Sequence, residues 1–264
     1  MGEVWRRDPF EALGAVYAAF ARATPGFSLA TIGRPGSLIC AVTPLALSLF
    51  NRVMSVRLAA DEVDEAIEGV QAAHARASVP GSWWLGPGTT PGTLPQALER
   101  HGYSSSETIP AMTLELDQLS PLQLPPGVEL SWVNGRDQMR ATQRMIGIGF
   151  GMPPALAHEM AESLAAIGED PSSPARVVVA SLDGTPVSSA MAVTVGDVAG
   201  VYSVATLPEA RGKGLGMAIT LAVLHDARDR GARHGVLESS DMGFPIYTRM
   251  GFRHVGDFRV FVSG

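Results

Sequence analysis

The stretch Leu119-Ser-Pro-Leu-Gln-Leu-Pro-Pro-Gly127 constrains this chain more than any other. Its prolines and glycine hold the backbone in extended or turn conformations and offer no periodic apolar face. It reads as a linker over 120–127. The 264 residues are thereby divided into a first half, 1–119, and a second, 128–264, each of ordinary domain size.

The patterning on the two sides rhymes. In the second half, strands are predicted over 128–133, 176–182, 187–195, 198–206, 236–239 and 255–262. Helices are predicted over 136–148, 154–167, 217–230 and 244–250. Asp183-Gly184 signals a hairpin turn, and Gly231 stands where a left-handed residue closes a helix. In the first half a strand over 51–58 leads to a helix over 61–77, with Asp61 as its N-cap. A strand over 82–85, a short helix over 94–100, His101-Gly102-Tyr103 and a strand over 109–116 follow. Strand, helix, strand, short helix, Gly-aromatic, strand thus occurs twice, which predicts an internal repeat carried by pattern and not by identity. The residues before 51 are less regular.

Composition narrows the function. Apolar residues at 46% and charged residues at 17% mark a globular chain able to bury a full core. A net charge of −6 argues against a nucleic-acid-binding surface. The longest apolar stretch, 38–50, is broken by Pro44 and falls short of the roughly 20 residues that span a bilayer. Residues 1–10 carry no apolar signal core, and Arg6 stands where a myristoylation signal needs Ser or Thr. Cys40 is the only cysteine, so no intrachain disulfide and no Cys-rich metal site can form. The six histidines show no paired metal spacing, and no Gly-x-Ser-x-Gly elbow is present. A soluble, cytoplasmic protein is expected, with no nucleic acid, membrane or metal as partner.

One segment carries chemistry. In Val204-Ala-Thr-Leu-Pro-Glu-Ala-Arg-Gly-Lys-Gly-Leu-Gly-Met217 a strand runs through a glycine-rich loop into a helix. Glycines permit close backbone approach, and free amides at a helix start make an anion site. Arg211 and Lys213, the sole lysine, add positive charge. A P-loop does not fit, because Gly214 follows Lys213 where Ser or Thr is required. A dinucleotide fingerprint fits poorly, because residues 207–210 separate strand from glycines and Met217 fills the third small position.

Arg211-x-x-Gly214-x-Gly216, preceded by Pro208-Glu209, resembles the pyrophosphate loop of the GNAT superfamily of N-acetyltransferases. Downstream, Leu237-Glu-Ser-Ser-Asp-Met-Gly-Phe-Pro-Ile-Tyr247-Thr-Arg-Met-Gly251-Phe252 looks like that superfamily's next motif. The resemblance covers about half of the chain, roughly 126–264. It implies an α+β fold: a mixed, largely antiparallel twisted sheet flanked by helices, here in tandem. It implies acetyl-CoA in a splay between the strands ending at Thr206 and Ser239, paired with main-chain groups of Val204, Ala205 and Thr206. It also implies a pyrophosphate held by the amides of Arg211, Gly212, Lys213, Gly214, Leu215 and Gly216. An amine acceptor would attack the thioester directly in a ternary complex, an amide near Ala205 would stabilise the oxyanion, and Tyr247 would protonate the departing thiolate.

Ser240 occupies the place where many members carry a cofactor-touching Asn, so that contact is in question. Glu238 and Asp241 are both candidates for the general base, and a solvated strand edge is the plainer place for either. The first half has 56–63 at the place of the loop, with no glycine and two acids, and resembles a degenerate copy that no longer binds CoA. Its Trp83-Trp84 would be structural or line the acceptor cleft, one of the two facing the core. Phe150 and Met152 either cover the acceptor or fill a helix corner. The sequence thus points to an acetyl-CoA-dependent N-acetyltransferase acting on a small-molecule or peptide primary amine, and it is compatible with a homodimer. Two rivals stay open. One is a catalytically inactive acyl-CoA-binding or sensing module, the other a nucleotide-binding oxidoreductase.

Overall fold

Asp8 and Pro9 start the first helix, one the sequence pattern had left irregular. Pro at N1 is pre-set for helical φ, and the Asp8 carboxylate accepts from the amides of Phe10 and Glu11 at 3.0 and 3.4 Å. The resulting α1, Pro9–Ala23, buries Phe10, Leu13, Val16, Tyr17 and Phe20 on one stripe. Burial of each such side chain stabilises by about 1.5–3 kcal/mol. The computed structural model describes residues 8–170 and 172–263; the leader and acylation readings on 1–7 lie outside them.

After α1 come β1 (Ser28–Ala30), β2 (Ile39–Val42), β3 (Arg52–Met54), α2 (Val63–Ala77), β4 (Ser82–Leu85), α3 (Leu94–Arg100) and β5 (Tyr103–Glu115). The second half runs β6 (Val128–Trp132), α4 (Arg136–Gly149), α5 (Pro154–Leu164), β7 (Ala175–Leu182), β8 (Thr185–Val195), β9 (Val198–Thr206), α6 (Leu215–Asp229), β10 (His234–Glu238), α7 (Phe244–Arg249) and β11 (Arg253–Ser263). Residues 119–125 have no regular structure. Asp183 and Gly184 both have positive φ, 50° and 80°, as the two-residue hairpin turn between β7 and β8 requires. Two sequence expectations fail here: the strand over 51–58 shortens to Arg52–Met54, because Ser55 turns left-handed at φ 52°, and Asp61 does not cap α2. Asp61 lies inside a 3-10 turn, Ala60–Glu62, that precedes α2, and Glu62 holds the cap position.

All eleven strands join one sheet in the order β1-β2-β3-β4-β11-β5-β10-β9-β8-β7-β6. β3 with β4 and β9 with β10 pair in parallel, each across a helical crossover; the remaining pairs are antiparallel. The last strand of each half lies inside the other half's territory. β5 pairs with β10, and β11 pairs with β4.

The repeat is visible in the backbone. β3 runs out into Val53-Met-Ser-Val56, and β9 contains Val201-Tyr-Ser-Val204. The serine is left-handed in both, with φ 52° at Ser55 and 54° at Ser203. Alternate residues of the strands face opposite layers. Val53 and Trp83 meet α2 and α3 in one core, whereas Met54 and Trp84 join α1, α4 and α5 in another. α6 and α7 cover the second half on the same face as α2 and α3 cover the first. Among the described residues no helix is long and apolar enough to cross a membrane.

Candidate active site

β9 and β10 stay together only from Val198/His234 to Val201/Leu237. Beyond that point β10 follows β5, with Glu238 opposite Ala111 and the Ser239 amide on the Pro110 carbonyl at 2.8 Å. β9 follows β8 instead. Met191 stands opposite Tyr202 and Ser189 opposite Ala205, so Ser203 and Val204 face the single residue Ala190. This β-bulge bends β9 away, and the splay expected between Thr206 and Ser239 opens there. The edge of β9 facing β10 is left unpaired past Val201.

The loop after β9 ends at Gly214, whose φ of 80° is left-handed, and α6 begins without any side-chain cap. The first-turn amides of a helix have no carbonyl partner within it. A Cβ placed at Gly212 would meet nothing within 4 Å, and one at Gly214 would meet only Pro125 Cγ at 3.8 Å. The loop is open in front of these amides. The Arg211 amide is already on the Pro208 carbonyl at 3.3 Å. Its side chain donates to the carbonyls of Thr206 (3.1 Å) and Gly149 (2.7 Å) and so anchors the loop to α4. The Leu215 side chain is core, which leaves its amide as the only group it can offer. Ala205 and Thr206 have partly spent their acceptors, on Ser188 Oγ at 2.8 Å and on Arg211. Gly212, Lys213, Gly214 and Gly216 lie in the loop and the first turn of α6, and Val204 lies on β9 beyond its pairing with β10.

A cavity of about 280 Å³ lies at the mouth of the splay, between α1 and the α4–α5 pair, and both halves of the chain line it. Tyr247 reaches it from α7. Its ring packs edge-on against Phe252, and burial pushes its pKa up to about 12. Ser240 lies beside it, its hydroxyl oxygen accepting from the Gly243 amide at 3.2 Å.

Glu238 is not at a solvated edge. Its side chain is 8% exposed and points to the cavity, where Oε2 accepts from Arg52 Nη1 at 2.7 Å. Glu238 Oε1 is buried with no hydrogen-bond partner. Asp241 is exposed and is not among the residues lining the cavity.

Arg52 comes from the first half and was not singled out from the sequence. Its side chain is 6% exposed, and Nε donates to the Leu49 carbonyl at 2.6 Å. Its guanidinium lies 4.7 Å from the Tyr17 ring centroid and 3.9 Å from that of Trp84. Burial opposes its charge, but Glu238 and the neighbouring tyrosines outweigh that and keep its pKa above the ordinary value. Tyr17 and Tyr202 complete the cluster, and burial raises both phenols far above their usual range. Tyr17 donates to the Phe50 carbonyl at 2.6 Å, while Tyr202 Oη has no partner. Trp84 lines the cavity and Trp83 lies in the opposite core; Phe150 and Met152 also line the cavity. An arginine opening an apolar strand was the one sequence signal for this cluster, because a buried charge needs a partner.

The first half has closed its own version of the splay. Past Ser55, Thr90 bridges to Arg57 in parallel. The Thr90 amide donates to the Val56 carbonyl and the Leu58 amide to the Thr90 carbonyl, both at 3.1 Å. At the foot of α2, Glu62 accepts from the Ala59 amide and pairs with Arg34, at 2.9 Å each.

Residues 149–252 match the family model described as acetyltransferase (GNAT) family. Among solved structures, a GCN5-related N-acetyltransferase from Kribbella flavida is 21% identical, with all of this chain and 96% of that one covered and a TM-score of 0.74. A GCN5-related N-acetyltransferase from Sphaerobacter thermophilus is 18% identical, with 86% and 80% covered and a TM-score of 0.60. A tandem GNAT protein from the clavulanic acid biosynthesis pathway is 15% identical, with 91% and 84% covered and a TM-score of 0.59. No curated protein matches the chain. At these identities the structural likenesses speak for the fold.

Proposed function

We infer from a GNAT acetyltransferase domain in the second half of the chain, set in a fold shared with a tandem GNAT protein, that acyl transfer here is N-acetylation of a primary amine by acetyl-CoA. The observation that carries this reading is the unpaired edge of β9 past Val201, running through the open glycine loop into α6. The residues fit an acyl-CoA. Main-chain groups of Val204 and its neighbours offer a strand-like edge to an amide-bearing arm. The amides from Gly212 to Gly216, at the positive end of the α6 dipole, offer an anion site.

Acetyl-CoA supplies an activated acyl thioester. The reaction exchanges its C–S bond for a C–N bond, and the amine gives up its surplus proton while the thiol leaves protonated. Tyr247 holds the proton for the leaving sulfur, and a pKa near 12 keeps that phenol protonated at neutral pH. Glu238 Oε1 accepts a hydrogen bond from the amine and is the residue placed to receive its proton. A main-chain amide of the Ser203–Ala205 bulge stabilises the negative charge that develops on the thioester oxygen. Transfer is direct. Cys40, the only cysteine, is buried in the α2–α3 core and not on the cavity wall. Ser240 supports α7 and keeps a hydroxyl proton to donate. The protein works in the cytoplasm on a small acceptor.

A thermal-shift titration with acetyl-CoA, with NAD and ATP as controls, tests this. At a hundred times its dissociation constant a ligand stabilises by about 2.7 kcal/mol, and a shift by acetyl-CoA alone is expected. No shift at saturating acetyl-CoA overturns the reading. A shift without amine-dependent CoA release favours the acyl-CoA-sensing alternative.

A further inference from the structure

The reaction alone leaves the amine undefined, but the cavity wall constrains it. Among the described residues the only charged ones lining it are Arg52 and Glu238, and they neutralise each other. The rest of the wall is largely aromatic and aliphatic, with Phe20, Trp84, Ile146, Phe150 and Met160 among it. Two buried polar atoms on this wall have no partner: Glu238 Oε1 and Tyr202 Oη. Buried polar atoms are nearly always satisfied, so a pair left open on one cavity marks the place of a bound group. Each can accept a hydrogen bond, and the carboxylate oxygen can only accept.

Resting on the acetyltransferase reading, we propose that this cavity takes an arylalkyl monoamine, with its ammonium donating to Glu238 Oε1 and Tyr202 Oη and its apolar body against the aromatic wall. Size favours this class. At about 280 Å³ the space sits at the small end of ligand pockets, roughly 300–1,000 Å³. Charge favours it too. A polyamine or aminoglycoside needs a carboxylate for each ammonium, and one carboxylate oxygen is open here. An α-amino acid would set its carboxylate beside Glu238. The guanidinium that could offset this is spent on Glu238 and the Leu49 carbonyl, with Tyr17 and Trp84 stacked near it. The first half of the chain, which has closed its own splay, supplies Tyr17, Phe20, Arg52 and Trp84 to this wall. It is the half that selects the acceptor, and Arg52 is a positioning residue for Glu238.

Three probes separate the alternatives: phenethylamine, L-phenylalanine and spermidine. Equilibrium binding of each to the full chain is measured by calorimetry with and without acetyl-CoA, and CoA release is followed in parallel. Phenethylamine is expected to bind at least ten-fold tighter than the other two and to be the only efficient acceptor. Tyr202→Phe should weaken phenethylamine about ten-fold, the scale of a hydrogen bond to a charged group, with acetyl-CoA affinity unchanged. Glu238→Gln should shrink the preference over L-phenylalanine, because the repelling charge is gone. Preference for spermidine or L-phenylalanine, or unchanged phenethylamine binding in Tyr202→Phe, overturns the proposal. Acetyl-CoA binding without phenethylamine binding overturns it and leaves the acetyltransferase reading standing. Phenethylamine binding without acetyl-CoA binding does the reverse.

Discussion

Arg52→Met tests the Arg52–Glu238 pair. Methionine keeps an unbranched apolar stem and removes the guanidinium. It leaves Glu238, 8% exposed, as an uncompensated buried carboxylate. Removing one partner of a buried ion pair costs about 3–5 kcal/mol. The lost contacts with Trp84 and Tyr17 at 3.9 and 4.7 Å place the loss in the upper part of that range. At this chain length 1 kcal/mol corresponds to about 2 °C, so the melting temperature should fall by roughly 8–10 °C. The double variant Arg52→Met/Glu238→Leu removes both charges and should recover most of that loss, because a well-packed apolar pair is often as stable as a buried ionic one. Thermal and urea denaturation of both variants give the numbers. A fall below about 2 °C for Arg52→Met would mean that the pair behaves as a hydrated surface pair worth under ~1 kcal/mol, and that Arg52 does not hold Glu238 in place on the cavity wall. A double variant no better than the single one would show that the charges do not act as a unit.

Three further outcomes are expected. Tyr247→Phe should lower turnover by about 10²-fold, the scale of general acid catalysis, while acetyl-CoA affinity holds. Because burial raises this phenol to about 12 and only its protonated form donates, the rate should show no basic limb from it below about pH 11. A limb near pH 9 that vanishes in the variant would refute the assignment. Gly214→Asp should abolish the acetyl-CoA thermal shift. Its fold should survive, since a left-handed Asp at φ 80° costs about 1–3 kcal/mol; unchanged affinity would move the pyrophosphate elsewhere. Calorimetry should find one acetyl-CoA per chain, because Thr90 fills the first half's splay; two sites would contradict that.

Most of the second half was legible because its signals are local. Asp183-Gly184, Gly231 and the glycine loop each demand a particular backbone, and each is found where expected. The helix over 94–100 and the strand over 82–85 match the structure to the residue. α1 was readable and went unread: Asp8-Pro9 is a helix start, and Phe10, Leu13, Tyr17 and Phe20 keep helical spacing. The strand over 51–58 shrank to Arg52–Met54 because Ser55 turns left-handed, which no residue pattern announced. The cavity was only half legible. Its loop and Tyr247 lie within one stretch of chain, whereas Arg52 and Glu238 meet across 186 positions. Such a contact is set by the sheet order, and the sheet order depends on β5 and β11 crossing over.

That crossing also decides what can be lost. If the first half were deleted, β11 would lose both of its partners, β4 and β5, and β10 would lose β5. The bared edges of β10 and β11 would then stand open to pairing with any other chain. A gene carrying this arrangement cannot shed its first half by truncation, although that half has closed its own splay. Mutations are therefore free to reshape Tyr17, Arg52 and Trp84 in a segment that must be kept anyway, and the cavity wall can change there without touching the glycine loop of the second half.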